Sequence, residues 1–215
     1  MKTVIIDYGL SNLLSVRRAF EYCGADAAVS GDPAEVRGAD LLVLPGVGAF
    51  ADGMEGLRRR GLVGPILEKA AAGTPLLGIC LGMQMLFDES GEFGRHEGLG
   101  LIAGTVERIP EVDADGRRQT VPHIGWSPLE LSACAGGTAL RSFPAGGEVY
   151  FVHSFEAKPA REQDCAAWCV YGGRRVCAAA RNARGNVLGC QFHPEKSGEA
   201  GLAIVREFLS GGGEK

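Results

Sequence analysis

Leu76-Leu77-Gly78-Ile79-Cys80-Leu81-Gly82-Met83-Gln84 passes from an apolar strand pattern, through a cysteine framed by glycines, into residues that favour helix. That order predicts a strand, a sharp turn carrying Cys80, and a helix. Gly78 and Gly82 suit such an elbow because it crowds backbone against backbone, which only residues without a Cβ tolerate. The Cys80 sulfur is expected to stand exposed at the helix N-terminus, where unpaired amides and the dipole favour an anion, and the thiolate is the nucleophilic form of cysteine. Taken alone, G-x-C-x-G fits a buried structural cysteine in a βα turn equally well.

Working outward, residues 3–6, 27–30 and 41–44 are short, uniformly apolar runs, separated by a helical pattern over 13–22 and followed by two more over 50–60 and 62–72. Short all-apolar strands alternating with helices imply a sheet covered on both faces, and right-handed crossovers bring the strand ends to one edge, where open α/β sheets bind ligands. The second half changes character. Residues 101–109, 148–155, 166–170, 176–181 and 187–191 read as antiparallel strands, with polar turns such as Gly172-Gly173-Arg174, and only 199–209 returns to helix. The expected fold is therefore α/β, an open and mostly parallel sheet with flanking helices and an antiparallel extension. With 215 residues, 46% of them apolar, a single domain over 1–215 can bury its own core.

Composition excludes several classes. Net charge is −4 with a pI of about 5.6, which offers no footprint for nucleic acid, and Arg58-Arg59-Arg60 reads as a solvated helix end. The N-terminal apolar run is too short for a signal peptide and no stretch reaches a membrane span, so a cytoplasmic protein is expected. Seven cysteines without a C-x-x-C indicate neither a disulfide framework nor a zinc site. The Gly211-Gly212-Gly213-Glu214-Lys215 tail is expected to fray.

Far along the chain, Val187-Leu188-Gly189-Cys190-Gln191-Phe192-His193-Pro194-Glu195 ends a strand pattern in a base and an acid. In extended backbone His193 and Glu195 project to the same side, so one carboxylate can orient one imidazole. Alone, His-Pro-Glu is also an ordinary strand end; with Cys80 it supplies nucleophile, base and orienting acid. Pro45-Gly46-Val47-Gly48 follows the 41–44 strand and opens at the same edge. Its glycines permit unusual backbone angles on either side of Val47. It is a tight βα turn on one reading, and on the other a donor of the Val47 N–H to an oxyanion, with the Leu81 N–H as the second donor.

Together, Gly78-Ile79-Cys80-Leu81-Gly82 and His193-Pro194-Glu195 resemble the class I, or triad, glutamine amidotransferases. Pro45-Gly46-Val47-Gly48, Pro122-His123-Ile124-Gly125-Trp126, Tyr150-Phe151-Val152-His153-Ser154-Phe155 and His193-Pro194-Glu195-Lys196-Ser197 narrow the resemblance to the glutaminase subunits of imidazole glycerol phosphate synthase, a histidine-biosynthesis enzyme. One departure falls in Asp7-Tyr8-Gly9-Leu10-Ser11-Asn12, where many relatives have glycine at the position of Ser11.

The resemblance implies hydrolysis of L-glutamine to glutamate and ammonia by Cys80, His193 and Glu195 through a cysteine thioester, with no cofactor and no metal. It assigns Gln84 and Glu92, one turn and about three turns past the nucleophile, with the backbone of Gly48 and Ser154, to the substrate's α-ammonium and α-carboxylate. Gln84 is equally an ordinary helix residue from its sequence alone. It also implies that the Val47 amide points away from the oxyanion until the partner's substrate binds. That partner is a separate (β/α)₈-barrel cyclase, forming a heterodimer, with Asn12, Trp126, Tyr150 and Lys196 at the interface; Trp126 reads equally as a core aromatic. Other readings of the same residues are a different class I amidotransferase and a non-catalytic module of the same fold.

Overall fold

The computed structural model describes residues 1–10 and 12–211; Ser11 and tail residues 212–215 lie outside them. In chain order, the first half comprises β1 (Thr3–Ile6), α1 (Leu13–Tyr22), β2 (Ala27–Ser30), α2 (Pro33–Arg37), β3 (Leu41–Gly46), α3 (Phe50–Arg59), α4 (Val63–Ala72), β4 (Leu76–Cys80) and α5 (Leu81–Met85). The second half runs β5 (Phe87–Ser90), β6 (His96–Glu97), β7 (Ile102–Arg108), β8 (His123–Pro128), β9 (Glu130–Leu131), β10 (Glu148–His153), β11 (Phe155–Pro159), β12 (Cys165–Tyr171), β13 (Arg174–Arg181), β14 (Val187–Cys190) and α6 (Gly198–Leu209).

The main sheet has eight strands in the order β2-β1-β3-β4-β14-β13-β12-β9, and a four-stranded sheet (β11-β7-β5-β6) and a β10-β8 ribbon complete the framework. β2, β1, β3, β4 and β14 are mutually parallel, while β13, β12 and β9 extend the sheet antiparallel. Val4, Ile6, Leu42, Leu44 and Leu76 face one buried cluster with Phe50, Leu57 and Ile66 of the helices; Ile5, Val43, Leu77 and Ile79 face another with Phe20, Ile204 and Phe208. Two covered faces are why these strands read as continuous apolar runs rather than alternating ones.

The expected fold class holds, with four local corrections. β14 is parallel to β4 as well as antiparallel to β13, so it belongs to the parallel half of the sheet. The single strand expected over 148–155 is two strands broken at Ser154, because the chain leaves β8 and begins pairing with β7 there. The helix after Cys80 is only one turn, ending at the Leu86 cap, and β5 follows at once. Finally, the short α2 is an addition to the expected elements, although Asp32-Pro33 is a start signal: the Asp32 carboxylate caps the Ala34 N–H at 2.8 Å and Pro33 occupies the first turn.

Candidate active site

Three neighbouring parallel strands, β3, β4 and β14, end together at one edge. Gly46 pairs with Cys80 across β3 and β4, and Cys190 pairs with Ile79 across β14 and β4. The residues that follow, Val47–Gly48, Leu81 and Gln191–His193, therefore emerge side by side although the chain between β4 and β14 crosses most of the second half. Val47, Gly48, Leu81 and His193 line a cavity of about 310 Å³ with Cys80, Gln84, Glu92, Pro122, His153, Ser154 and Phe155. A larger cavity of about 580 Å³ lies at the opposite strand ends, near Leu76 and Asn186, and its lining contains neither cysteine nor histidine.

Cys80 adopts φ 54° and ψ −110°, a region that non-glycine residues rarely occupy. The turn is made possible by its glycines: a Cβ on Gly82 would lie 1.7 Å from the Leu44 carbonyl oxygen, and one on Gly78 would lie 2.9 Å from Gly82. The sulfur is not exposed as expected. Cys80 is only 7% accessible, on the cavity floor, because β10 and the Gln191 side chain pack over it. Its Sγ lies 3.9 Å from the Val152 carbonyl oxygen and 3.9 Å from Gln191 Nε2, which donates to it.

His193 leaves the sheet just beyond β14. Its N–H donates to the Tyr150 carbonyl at 3.0 Å and its own carbonyl accepts the Ser197 hydroxyl at 2.6 Å, so the backbone is held on both sides. Glu195 reaches His193 Nδ1 at 2.7 Å, with both side chains almost wholly buried. This contact is made through a 3₁₀ turn over Pro194–Lys196 rather than the extended backbone expected, since Pro194 has the φ that opens a helical turn. Burial pulls the His193 pKa down, but the neighbouring Cys80 sulfur and the hydrogen-bonded Glu195 carboxylate outweigh it and raise it from 6.5 to about 9. The ring accordingly carries a proton at neutral pH.

That shift makes a prediction for stability. Because the folded value lies above the unfolded one, the contribution of His193 is present in full below about pH 6.5 and is lost as pH rises through about 9. Unfolding free energy measured by denaturant titration is expected to decline across that window in the parent and to be flatter in His193→Asn. Parallel curves for the two proteins would refute the assignment.

The remaining predicted residues fall as follows. Leu81 opens α5, so its N–H has no intrahelical acceptor. The Val47 N–H, in contrast, donates to the Leu10 carbonyl at 3.4 Å. Only Gly48 of the two flanking glycines has a left-handed φ, +105°, with open space around it. Gly46 serves close packing instead: a Cβ there would sit 2.3 Å from the Tyr8 hydroxyl. Gln84 is buried, its Nε2 donating to the Phe155 carbonyl at 3.0 Å and to Gln191 Oε1 at 3.1 Å. A carbonyl can only accept, so Gln84 Oε1 is the amide atom left for the cavity. Glu92 is not three helical turns on; it follows β5, and its Oε2 accepts the Phe50 N–H at the start of α3 at 2.7 Å. Ser154 sits at the break between β10 and β11.

Of the remaining four, Trp126 is 53% exposed and pairs across the ribbon with Tyr150, ring centroids 6.0 Å apart, so it is not a core aromatic. Lys196 is exposed directly after the His193–Glu195 pair, and Asn12 precedes α1, its Oδ1 accepting the Ser15 hydroxyl at 3.1 Å. Gln191, which touches both Cys80 and Gln84, is a site residue that sequence reasoning misses; its position two before His193 is the available signal. Among the described residues no group of three or more His, Cys, Asp or Glu could hold a metal ion, and no helix is long and apolar enough to cross a membrane.

The model of the glutamine amidotransferase class-I family matches residues 4–210. Imidazole glycerol phosphate synthase subunit HisH 1 of Legionella pneumophila (strain Lens) is 50% identical over 209 residues, covering 95% of this chain and 97% of that protein. Subunit HisH of Syntrophotalea carbinolica is 48% identical over 206 residues, covering 95% and 98%. Among solved structures, a chain of PurLQS from Thermotoga maritima superposes with a TM-score of 0.75 at 21% identity, covering 97% of each chain. The glutaminase domain of Trypanosoma brucei CTPS with bound acivicin gives 0.66 at 15% identity, covering 100% of this chain and 95% of that one. At those identities the structural likeness establishes fold alone, but a family match over nearly the whole length and relatives of half identity end to end establish membership: this chain belongs to the class-I glutamine amidotransferases, within the family of imidazole glycerol phosphate synthase subunit HisH.

Proposed function

We propose that this chain is a glutaminase that hydrolyses L-glutamine to glutamate and ammonia, and that it works in the cytoplasm as the single-domain subunit of a heterodimer with a separate cyclase. The observation that carries the reading is the convergence of a strained cysteine and a buried imidazole–carboxylate pair at the ends of adjacent strands.

The chemistry follows from the atoms available. The Cys80 thiolate attacks the side-chain amide carbon of glutamine, and the carbonyl oxygen becomes a tetrahedral oxyanion accepting the Leu81 N–H. His193, protonated at neutral pH, gives its proton to the departing nitrogen, so ammonia leaves and a γ-glutamyl thioester remains. The ring, now neutral, takes a proton from water as the water attacks the thioester, releasing glutamate and regenerating the thiolate. Glu195 holds the ring by Nδ1, which keeps Nε2 toward the reaction. For the substrate's ammonium, Gln84 Oε1 and Glu92 are the acceptors, with the backbone of Gly48 and Ser154 for its carboxylate.

The second oxyanion donor is the Val47 N–H, which must first release Leu10. A net hydrogen bond of this kind holds about 1 kcal/mol, small enough for a bound partner to overcome. Amide exchange at Val47 is expected to quicken about fivefold when cyclase and its nucleotide substrate bind, an equivalent of that energy. Unchanged exchange would remove Val47 from the role.

Ammonia released into water is lost as ammonium, so such a chain belongs beside a synthase. The relatives' names identify them as synthase subunits. The cyclase combines ammonia with the phosphoribulosyl-formimino nucleotide to give imidazole glycerol phosphate and aminoimidazole carboxamide ribonucleotide, docking over Asn12, Trp126, Tyr150 and Lys196. Glutamate formation is the test, measured with the chain alone and then with cyclase plus nucleotide. Turnover that rises by orders of magnitude only in the full mixture supports the proposal; high turnover indifferent to the cyclase removes the partner, and none in either removes the activity.

A further inference from the structure

Two buried histidines outside the Cys80–His193–Glu195 set remain without a role. His123 and His153 face each other across the β8–β10 ribbon and are 2% and 5% exposed. His123 Nδ1 and His153 Nε2 lie 3.0 Å apart, His153 Nδ1 is 2.8 Å from the Phe155 carbonyl oxygen, and His123 Nε2 is 3.1 Å from the Ser127 hydroxyl. The proton positions follow from the carbonyl end. Phe155 O can only accept, so His153 carries its proton on Nδ1; a neutral ring then accepts at Nε2, so His123 also carries its proton on Nδ1 and accepts from Ser127 at Nε2. The hydrogen bonds run one way, Ser127 to His123 to His153 to Phe155.

The chain ends at the cavity wall. Phe155 O is the same acceptor that holds Gln84 Nε2, and His153, Ser154, Phe155 and Gln84 all line the cavity. The other end is fixed by stacking, His123 lying 4.1 Å from the Tyr171 ring centroid and 4.7 Å from that of Phe151, both nearly parallel.

We propose that His123 and His153 are positioning residues for glutamine: their one-way chain fixes the Ser154–Phe155 wall and the orientation of the Gln84 amide, and so sets the affinity for the amino-acid end of the substrate rather than the rate at Cys80. This rests on the glutaminase reading. Burial holds the two rings at about 4 and about 3, well below the ordinary 6.5, so both are neutral at pH 7 as the chain requires.

The test uses the full chain with cyclase and nucleotide. His153→Ala is expected to raise KM for glutamine about tenfold with kcat within about twofold, the mark of lost uniform binding. His153→Asn, whose Nδ2 can replace the ring Nδ1 donor, is expected to recover most of that loss. Alkylation of Cys80 by iodoacetamide is expected to be unchanged in His153→Ala, while inactivation by a glutamine-like diazoketone slows as KM rises. An unchanged KM, or equal slowing of both reagents, overturns the proposal. In the unaltered chain, ¹⁵N spectra are expected to show both rings as neutral Nδ1–H tautomers; an Nε2–H form at either overturns it whatever the enzyme does. Absence of turnover in the unaltered complex strikes the glutaminase reading instead, and the tautomer measurement separates the two failures.

Discussion

Cys80→Ala is expected to lower glutamine turnover at least about ten-thousand-fold, the scale seen when the nucleophile of a catalytic triad is removed. Among the described residues nothing else on the cavity floor can take its place. The neighbouring side chains, Gln84, Gln191 and His193, are already engaged with Phe155, one another or Glu195. The same substitution removes the sulfur that, after burial, is the leading influence on His193, and so is expected to lower the pKa of that ring from about 9. Activity within tenfold of the parent would end the thioester mechanism.

Gly82→Ala is expected to be the most damaging single methyl group that can be added near the site. Its Cβ would lie 1.7 Å from the Leu44 carbonyl oxygen and 2.7 Å from the Leu44 carbonyl carbon. No rotamer relieves a clash with backbone, and β3 cannot withdraw because it is hydrogen-bonded to β1 on one side and β4 on the other. A loss above about 4 kcal/mol is expected, in the range reserved for steric failures of this kind. At about 2–4 °C per kcal/mol for a chain of this size, the melting temperature falls by roughly 8–16 °C. Gly136→Ala is the matching control: its Cβ meets nothing within 4 Å, and a change within about 0.5 kcal/mol is expected. If Gly82→Ala melts within a degree or two of the parent, the elbow is not packed as described.

Much of the site is legible in the amino-acid sequence. The elbow can be read from Gly78, Cys80 and Gly82 because the three stand at fixed spacing after an apolar strand, although the Leu44 carbonyl that Gly82 must clear is distant in sequence, and the candidate acid–base pair from His193 and Glu195 because they are two residues apart. Glu92 illustrates where local reading stops. Counting helical turns from Cys80 puts it on a helix that ends after one turn, yet β5 and the loop beyond it still bring its carboxylate to the cavity rim. Gly46 illustrates the same point differently, since a glycine kept for close packing against Tyr8 looks identical in sequence to one kept for its backbone angles.

By itself, then, the amino-acid sequence determined the α/β class, the all-apolar strands and the elbow, and it marked Cys80 and His193 as the candidate nucleophile and base, because periodicity and motif spacing act over a few residues. Only the tertiary structure decided that β14 lies parallel to β4, which is what brings His193 to Cys80, and that the chain breaks at Ser154 to form the cavity wall. It alone showed the Val47 amide turned to Leu10, Gln191 over the sulfur, and His123 joined to His153. Each of these depends on which distant segment fills a pairing edge or a buried polar vacancy, and that choice is made by the packing of the whole sheet rather than by any stretch of neighbours.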